Sequence, residues 1–348
     1  MSTILDTKNK LFSLIIPCHN PEKTIFKLFD SLTRQNIPKD DLEIIVVDDN
    51  SSSLEYWNQL KRIYTWDMRF VRTDTDIHCP GNTRLEGMKY VTGEWLFFCD
   101  QDDFFEDGAL AKVKDYIRTH TDHKMYVIST IMRACDPVNY ECHTELAHKQ
   151  AWLHGKWYSM ENLIIPYNIN FKENLVTHED VYFNSCVLNV LFMLETDWDY
   201  FDIYTYRWVD NPESLTRQPR NDRGYLFENF GDYITSASEP YWKNAKELGE
   251  PVFMNQLIMT LLHCYFYYEA VSYYEGPTNY RDIIIMIKNY IHDLQNDLNY
   301  SPKFIVDFVY ADHRKYEKVR QDCMLTSGGF IPKTSFRDFV FKLAGVEV

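Results

Sequence analysis

Three short apolar runs limit what this chain can fold into: LFSLIIP (Leu11–Pro17), LEIIVV (Leu42–Val47) and EWLFFC (Glu94–Cys99). Each is rich in β-branched or aromatic residues, and each stops at a polar loop: CHNPEK, DDNSSS and DQDD. Continuous runs of this length read as strands buried on both faces. Between them the period changes. Ile25, Leu28, Phe29 and Leu32 recur at helical spacing, as do Leu54, Trp57 and Leu60. Leu85, Met88 and Val91 predict a helix over 82–91, and Leu110, Val113 and Ile117 another over 108–119. RFVRT (Arg69–Thr73) and KMYVISTIM (Lys124–Met132) supply further strands. Strands alternating with helices predict an open α/β sheet, mostly parallel and flanked by helices. Right-handed crossovers put the carboxyl ends of such strands on one edge, where ligands bind. The three polar loops are therefore expected to line one crevice.

Residues 133–225 are less regular and rich in Trp, Tyr and His, with a helix starting near Val181. From 226 onward, long helices are expected over 253–274, 280–298 and 307–322. Two domains follow, 1–225 α/β and 226–348 helical, in keeping with roughly 150 residues per domain. In the closing KTSFRDFVFKLAG, Phe336, Phe339, Val340 and Leu343 form an apolar face, while Lys333, Arg337 and Lys342 carry positive charge. A last helix packed on its own domain is the preferred reading; a peripheral foot on a membrane surface is the alternative. The apolar helical part is also a candidate surface for a homo-oligomer.

The net charge of −15 and the lack of any long basic stripe exclude a general nucleic-acid role. An acidic chain can still hold a phosphorylated small molecule if a divalent cation mediates. The polar start MSTILDTKNK does not resemble a signal peptide, and no run of about 18 apolar residues occurs. Cys135, Cys142 and His143 lack a zinc spacing, so the cysteines read as reduced thiols. A cytoplasmic place, or one at the inner face of the membrane, is expected.

Four constellations carry chemistry, and each has a plain alternative. DQDD places Asp100, Asp102 and Asp103 directly after a strand. A calcium loop of the EF-hand kind would need Gly where Phe105 stands. Mg²⁺ or Mn²⁺ with a pyrophosphate partner fits; the alternative is a solvated helix start. Asp48 and Asp49 in DDNSSS can accept from a ribose hydroxyl or a base N–H, or can form an Asx turn and cap. His178, Glu179 and Asp180 precede an amphipathic helix and offer either a general base or an N-cap. YRWVDNPESLTRQPR (Tyr206–Arg220) gathers Arg207, Arg217 and Arg220 with Ser214 and Thr216. That suits phosphate oxygens, or else a surface turn at Pro212.

In this order and spacing, LFSLIIPCHN, LEIIVVDDNSSS, GNTRLEGMKYVTGEWLFFCDQDD and THEDVYFN resemble the inverting glycosyltransferases of family two, of bacterial type, which have the GT-A fold. The resemblance spans about residues 11–217. It implies a GT-A catalytic domain followed by a helical domain that contacts acceptor, another copy or a membrane surface. It implies that Pro17, His19, Asn20 and Asp49 lie against the nucleotide, with Asp49 on the base. Asp100, Gln101 and Asp102 match the family's D-x-D. Asp100 and Gln101 then contact the nucleotide sugar, and Asp102 and Asp103 hold Mn²⁺ or Mg²⁺. Arg84 would face the diphosphate, with Arg217 adding charge. Gly87 matches the family's glycine, whereas Leu85 replaces its usual Asn. Glu179 and Asp180 match the base motif, Asp180 being the base. Ser214 and Thr216 match only loosely. The implied activity is single displacement, with inversion, of a sugar from a nucleotide donor, commonly UDP, to a glycan, a lipid-linked sugar or a wall or capsule polymer. Two rivals remain. One is a non-catalytic module that binds a sugar nucleotide or glycan; the other is a sugar nucleotidyltransferase, which the Gly-free CHNPEKT disfavours. The aromatic segment from Trp152 to Tyr167 would stack on sugar rings or, as preferred here, serve as core.

Overall fold

A computed structural model describes residues 10–73, 79–147, 153–175 and 178–211. Further on it describes 239–240, 261–262, 265–266, 280–311, 313–314, 316–317, 320–321 and 333–347. The chain divides into two compact units, Met1–Gln218 and Pro219–Val348.

In the first unit the apolar runs form β1 (Phe12–Cys18), β2 (Leu42–Asp49) and β4 (Trp95–Phe98), and β3 is Asp67–Thr73. These four are parallel, in the order β3-β2-β1-β4. Alternation of side chains explains why the runs are continuous. Leu14, Ile16, Ile44, Val46 and Phe97 face one core with Leu28, Phe29, Leu60, Leu110 and Val113. Ile15, Ile45, Val47, Leu96 and Phe98 face a second with Phe183, Val187 and Leu191. Burying one such aliphatic side chain contributes about 1.5–3 kcal/mol, so a polar residue in these runs would be costly on either face.

The first core is covered by α1 (Ile25–Leu32), α2 (Glu55–Ile63) and α4 (Ala109–Thr119). The second is covered by α3 (Pro80–Met88) and α5 (Glu179–Met193). Helix α3 starts earlier and stops sooner than its 82–91 periodicity predicts. Proline at N1 has the φ a helix start needs and no N–H to leave unpaired, and the helix caps at Lys89 before Val91. Gly87 brings α3 close to the sheet: a Cβ there would lie 2.8 Å from Ile15 Cγ2 and 3.0 Å from Val47 Cγ2.

The irregular stretch contains more strand than its pattern shows. The sheet continues β4-β8-β6-β9-β5, with β7 on β6. Here β5 is Phe104–Phe105, β6 Val127–Cys135, β7 Cys142–Ala147, β8 Lys156–Ser159 and β9 Asp199–Val209. β8 runs antiparallel to both β4 and β6, while β6 and β9 are parallel. Trp157 and Tyr158 on β8 are fully buried, one in each core, so this part of the aromatic segment serves packing.

In the second unit, α6 (Tyr280–Asn296) lies within the expected 280–298 helix. α7 runs Pro302–Ala311, with Pro302 and Ser301 providing its start, and overlaps the beginning of the expected 307–322 helix; residues 313–314, 316–317 and 320–321 of that span are helical as well, and the others lie outside the described residues. Most of the expected 253–274 helix lies outside the described residues. The last helix, α8 (Phe336–Leu343), is capped by Ser335, whose Oγ accepts from the Asp338 N–H. Its Phe336, Phe339 and Val340 are buried, with Phe336 and Phe339 against the ring of Tyr265. Three of the four residues of the apolar face are thus packed within the unit, in line with the preferred reading of this helix. Among the described residues no helix is long and apolar enough to cross a membrane.

Candidate active site

The carboxyl ends of β1, β2 and β4 carry the three polar loops, as the topology requires. Hydrogen bonds join them. The His19 N–H donates to Gln101 Oε1 at 2.8 Å, and Gln101 Nε2 donates to the His19 carbonyl at 3.1 Å. His19 Nδ1 lies 2.7 Å from the Asp49 carbonyl oxygen. Asn20, in the left-handed region at φ 46°, receives a Ser52 N–H on Oδ1 and donates its own N–H to Ser51 Oγ. Asn tolerates that backbone better than most residues. Pro17, His19 and Asn20 therefore stand beside the β2 loop.

The two aspartates of that loop divide their work. Asp48 is fully buried and accepts from the Ser51 N–H at 3.0 Å and the Tyr56 hydroxyl at 2.7 Å. It forms the turn. Asp49, one residue on, accepts from the Thr73 hydroxyl at 3.1 Å.

The centre of the site is a buried relay. Arg84 on α3 is 4 % exposed. One of its terminal nitrogens donates to Glu179 Oε1 at 2.6 Å and the other to Asp100 Oδ1 at 2.7 Å. Burial opposes the charge of Arg84, but the two carboxylates outweigh it and hold the guanidinium protonated. Its charge is thus balanced inside the protein by two carboxylates. Glu179 and Asp180 open α5 after His178, whose φ of 59° turns the chain into the helix. Close packing fixes that end: a Cβ on Gly81, at the start of α3, would sit 3.0 Å from the Glu179 Cβ. Asp180 Oδ1 accepts the Val181 N–H at 2.8 Å. Burial, then the neighbouring Glu179, lifts the Asp180 carboxyl to about 6.

The DQDD turn differs from the metal pair that its motif implies. The Asp103 N–H bonds the Asp100 carbonyl at 3.2 Å, closing a tight turn. Such a turn brings its first and fourth residues together. Carboxylate oxygens of Asp100 and Asp103 and a ring nitrogen of His154 consequently lie within 4.8 Å of one another. Asp102 is the residue turned aside, and its Oδ2 accepts from Asn211 Nδ2 at 3.2 Å. Asp100 and Asp103, not Asp102 and Asp103, are the carboxylates placed to share a cation. His154, stacked on Tyr206, carries no motif that would have singled it out; only the sheet brings the residue before β8 to β4 and β9.

This cluster fits a divalent cation on its own chemistry. Asp103 is 1 % exposed; the Val209 N–H satisfies Oδ1 at 2.8 Å, while buried Oδ2 has no hydrogen-bond partner. His154 Nε2 is likewise buried without a hydrogen bond, although it lies 3.1 Å from Asp100 Oδ2. Burial, then Asp102 and Asp100, pushes the Asp103 carboxyl well up, and burial and Asp100 raise Asp102. Burial also disfavours charge on Asp100, but His154 and Arg84 overcome it and keep that group ionised. Carboxylates crowded in this way are costly unless a cation joins them. Two carboxylates with one imidazole suit Mn²⁺ better than Mg²⁺, which favours an all-oxygen shell. Arg217, Ser214 and Thr216 lie outside the described residues.

The glycosyl transferase family 2 model matches residues 13–184. Over 102 residues the chain is 40% identical to a poly(ribitol-phosphate) beta-glucosyltransferase of Bacillus spizizenii, covering 29% of this chain and 16% of that one. Over 109 residues it is 32% identical to the poly(ribitol-phosphate) beta-N-acetylglucosaminyltransferase TarS of Staphylococcus aureus, covering 31% and 19%. Both matches thus span less than a fifth of the relative. The crystal structure of S. aureus TarS 1-349 in complex with UDP-GlcNAc superposes over 92% of this chain and 93% of that one, with a TM-score of 0.51 at 18% identity. That likeness shows a shared fold, the GT-A arrangement of a mixed sheet between helices. Residues 13–184 are thus a glycosyl transferase family 2 domain.

Proposed function

We propose that this chain is a metal-dependent inverting glycosyltransferase that moves a sugar, a hexosyl or N-acetylhexosaminyl group, from a UDP-linked donor to a cell-envelope polymer. Its place is the cytoplasmic side. The observation that carries the reading is the relay Glu179–Arg84–Asp100. It ties the start of α5, and with it Asp180, to the turn after β4 that carries Asp103 and His154. A base and a cation cluster are thereby held in fixed relation at the carboxyl edge of the sheet. The names of the relatives, which act on poly(ribitol-phosphate), and the UDP-GlcNAc held by TarS support the donor and acceptor classes.

The residues divide the work as follows. Asp49 and the loop at Pro17, His19 and Asn20 receive the nucleoside, and Gln101 holds that loop to the β4 turn. Asp100, Asp103 and His154 would hold Mn²⁺ or Mg²⁺, which when bound supplies positive charge to the departing diphosphate. Asp180 takes the proton from the acceptor hydroxyl as its oxygen attacks the anomeric carbon opposite the leaving group. The new C–O bond forms as the bond to the diphosphate breaks, and the configuration inverts. Glu179 and Arg84 position the two ends. Arg217 and the helical unit are assigned to the leaving group and to acceptor or oligomer contacts.

The test is a panel of nucleotide sugars with Mn²⁺, followed by release of nucleoside diphosphate with and without EDTA. Release from a UDP-sugar that EDTA abolishes and an envelope polymer accelerates is the expected result. No turnover or binding of any donor, with or without metal, would sink the reading.

A further inference from the structure

Away from the relay, a cavity of about 550 Å³ opens where β5 and β9 meet the ends of α1 and α4. Its floor contains an unusual pair. Arg133 on β6 and Arg207 on β9 are directly opposite in register, a like-charge pairing that strands avoid. One carboxylate holds them: Glu106 takes two bonds from Arg207, each 2.9 Å, and lies 3.6 Å from Arg133. The Arg133 guanidinium lies over the Tyr204 ring, 3.5 Å from its centroid. Arg34 and Lys112 line the rim. Asp107 pairs with Arg34, and Asp202 also lines the cavity, yet the cations outnumber the carboxylates. Among the described residues Lys112 forms no ion pair. In a chain of net charge −15 this is a local reversal of sign.

We propose that this cavity binds a phosphate group of a phosphodiester-linked polymeric acceptor, at a distance from the reacting unit. The proposal rests on the transferase reading above and names what holds the rest of the acceptor. The guanidinium pair and the Lys112 ammonium supply the charge and the planar donors that phosphate oxygens take. Position supports a tethering role. The cavity and the cation cluster share β9: the Val209 N–H bonds Asp103, and Arg207 and Tyr204, which line the cavity, lie further back along the same strand. Lys27 senses the same field: burial, then Arg207, lowers its ammonium to about 8.

The experiment compares Lys112→Glu and Arg133→Gln with the wild type in the full chain, on a single-unit acceptor and on a long polyol-phosphate acceptor. KM for the long acceptor is expected to rise about fivefold or more in each variant, and more steeply at low salt, with KM for the short acceptor and the donor unchanged. Equal KM values for the long acceptor in all three proteins would overturn the proposal. If no acceptor is glycosylated, the transferase reading fails separately, and the cavity is read by fluorescence anisotropy of a labelled polyol-phosphate oligomer. Binding that both variants lose sustains the site. Absent binding by the wild type, binding the variants retain, or equal competition by an uncharged polymer removes it.

Discussion

At the scale of single residues, Asp180 shows how environment sets a task. An ordinary aspartate is a weak base at neutral pH; burial and the adjacent Glu179 lift this one to about 6, which strengthens it while leaving it ionised at pH 7. The base must be unprotonated to act, so activity is held above that value and lost below it. In kcat/KM for the free enzyme, an acid limb centred near 6 is expected, falling about tenfold per pH unit below it. A profile flat down to pH 4.5 would count against Asp180 as base. Asp180→Asn should lower transfer by about 10²–10⁴-fold while UDP binding, measured by calorimetry, stays within a few-fold. The cation cluster makes a separate prediction. His154→Ala and Asp103→Asn should each weaken Mn²⁺ binding, read by electron paramagnetic resonance, by about tenfold or more, while Asp102→Asn leaves it within about threefold. The reverse order would restore the pair that the D-x-D resemblance implies. That motif is legible because it sits directly after an apolar strand. Which of its carboxylates converge is decided by the turn hydrogen bond from Asp103 to Asp100, and hydrogen bonds of that kind leave no mark on composition or spacing.

At the scale of elements, the site depends on how α3 and α5 meet. α3 lies flat on β1 and β2 only because Gly87 has no side chain, and α5 starts against Gly81. Gly87→Ala would gain about 1 kcal/mol of helix propensity but force a methyl into Ile15 and Val47, and overpacking of this kind costs about 1–3 kcal/mol. Overpacking outweighs propensity, so a lower melting temperature is expected, with weaker donor binding because Arg84 rides on the same helix. Calorimetry that finds Gly87→Ala as stable as the wild type would contradict the close approach. Glu179→Ala removes one partner of a buried Arg84 that is 4 % exposed, and breaking such a pair typically costs about 3–5 kcal/mol. Glu179→Gln keeps the shape and one hydrogen bond, so most of that stability should return. β1, β2 and β4 are legible in the sequence because both of their faces are buried, leaving unbroken apolar runs. β8 and β9 are not. β8 is four residues long and begins with a buried lysine, and β9 alternates exposed with half-buried positions over its first four residues. β5 is two residues whose pairing with β9 is wholly non-local. His154, beside β8, inherits that obscurity.

At the scale of the molecule, the chain divides into two compact units, Met1–Gln218 and Pro219–Val348, and each compact unit is expected to show its own melting response. A ligand that binds one folded unit stabilises that unit by mass action: UDP with Mn²⁺ at a hundred times its dissociation constant adds about 2.7 kcal/mol. For a unit of this size, that amounts to a rise of roughly 5–10 °C in one calorimetric transition. Phe336→Ala acts on the other. Phe336 is fully buried beside Tyr265 and Phe339, and removing such a ring costs about 3–5 kcal/mol. The transition it lowers should be the one that UDP and Mn²⁺ leave alone. The same variant decides what α8 is for. If the apolar face of α8 is core, Phe336→Ala destabilises the helical unit and leaves vesicle association unchanged. Were the face a membrane foot, vesicle flotation would fall and the melting curve would stay where it was. The burial of Phe336, Phe339 and Val340 among the unit's own residues predicts the first result.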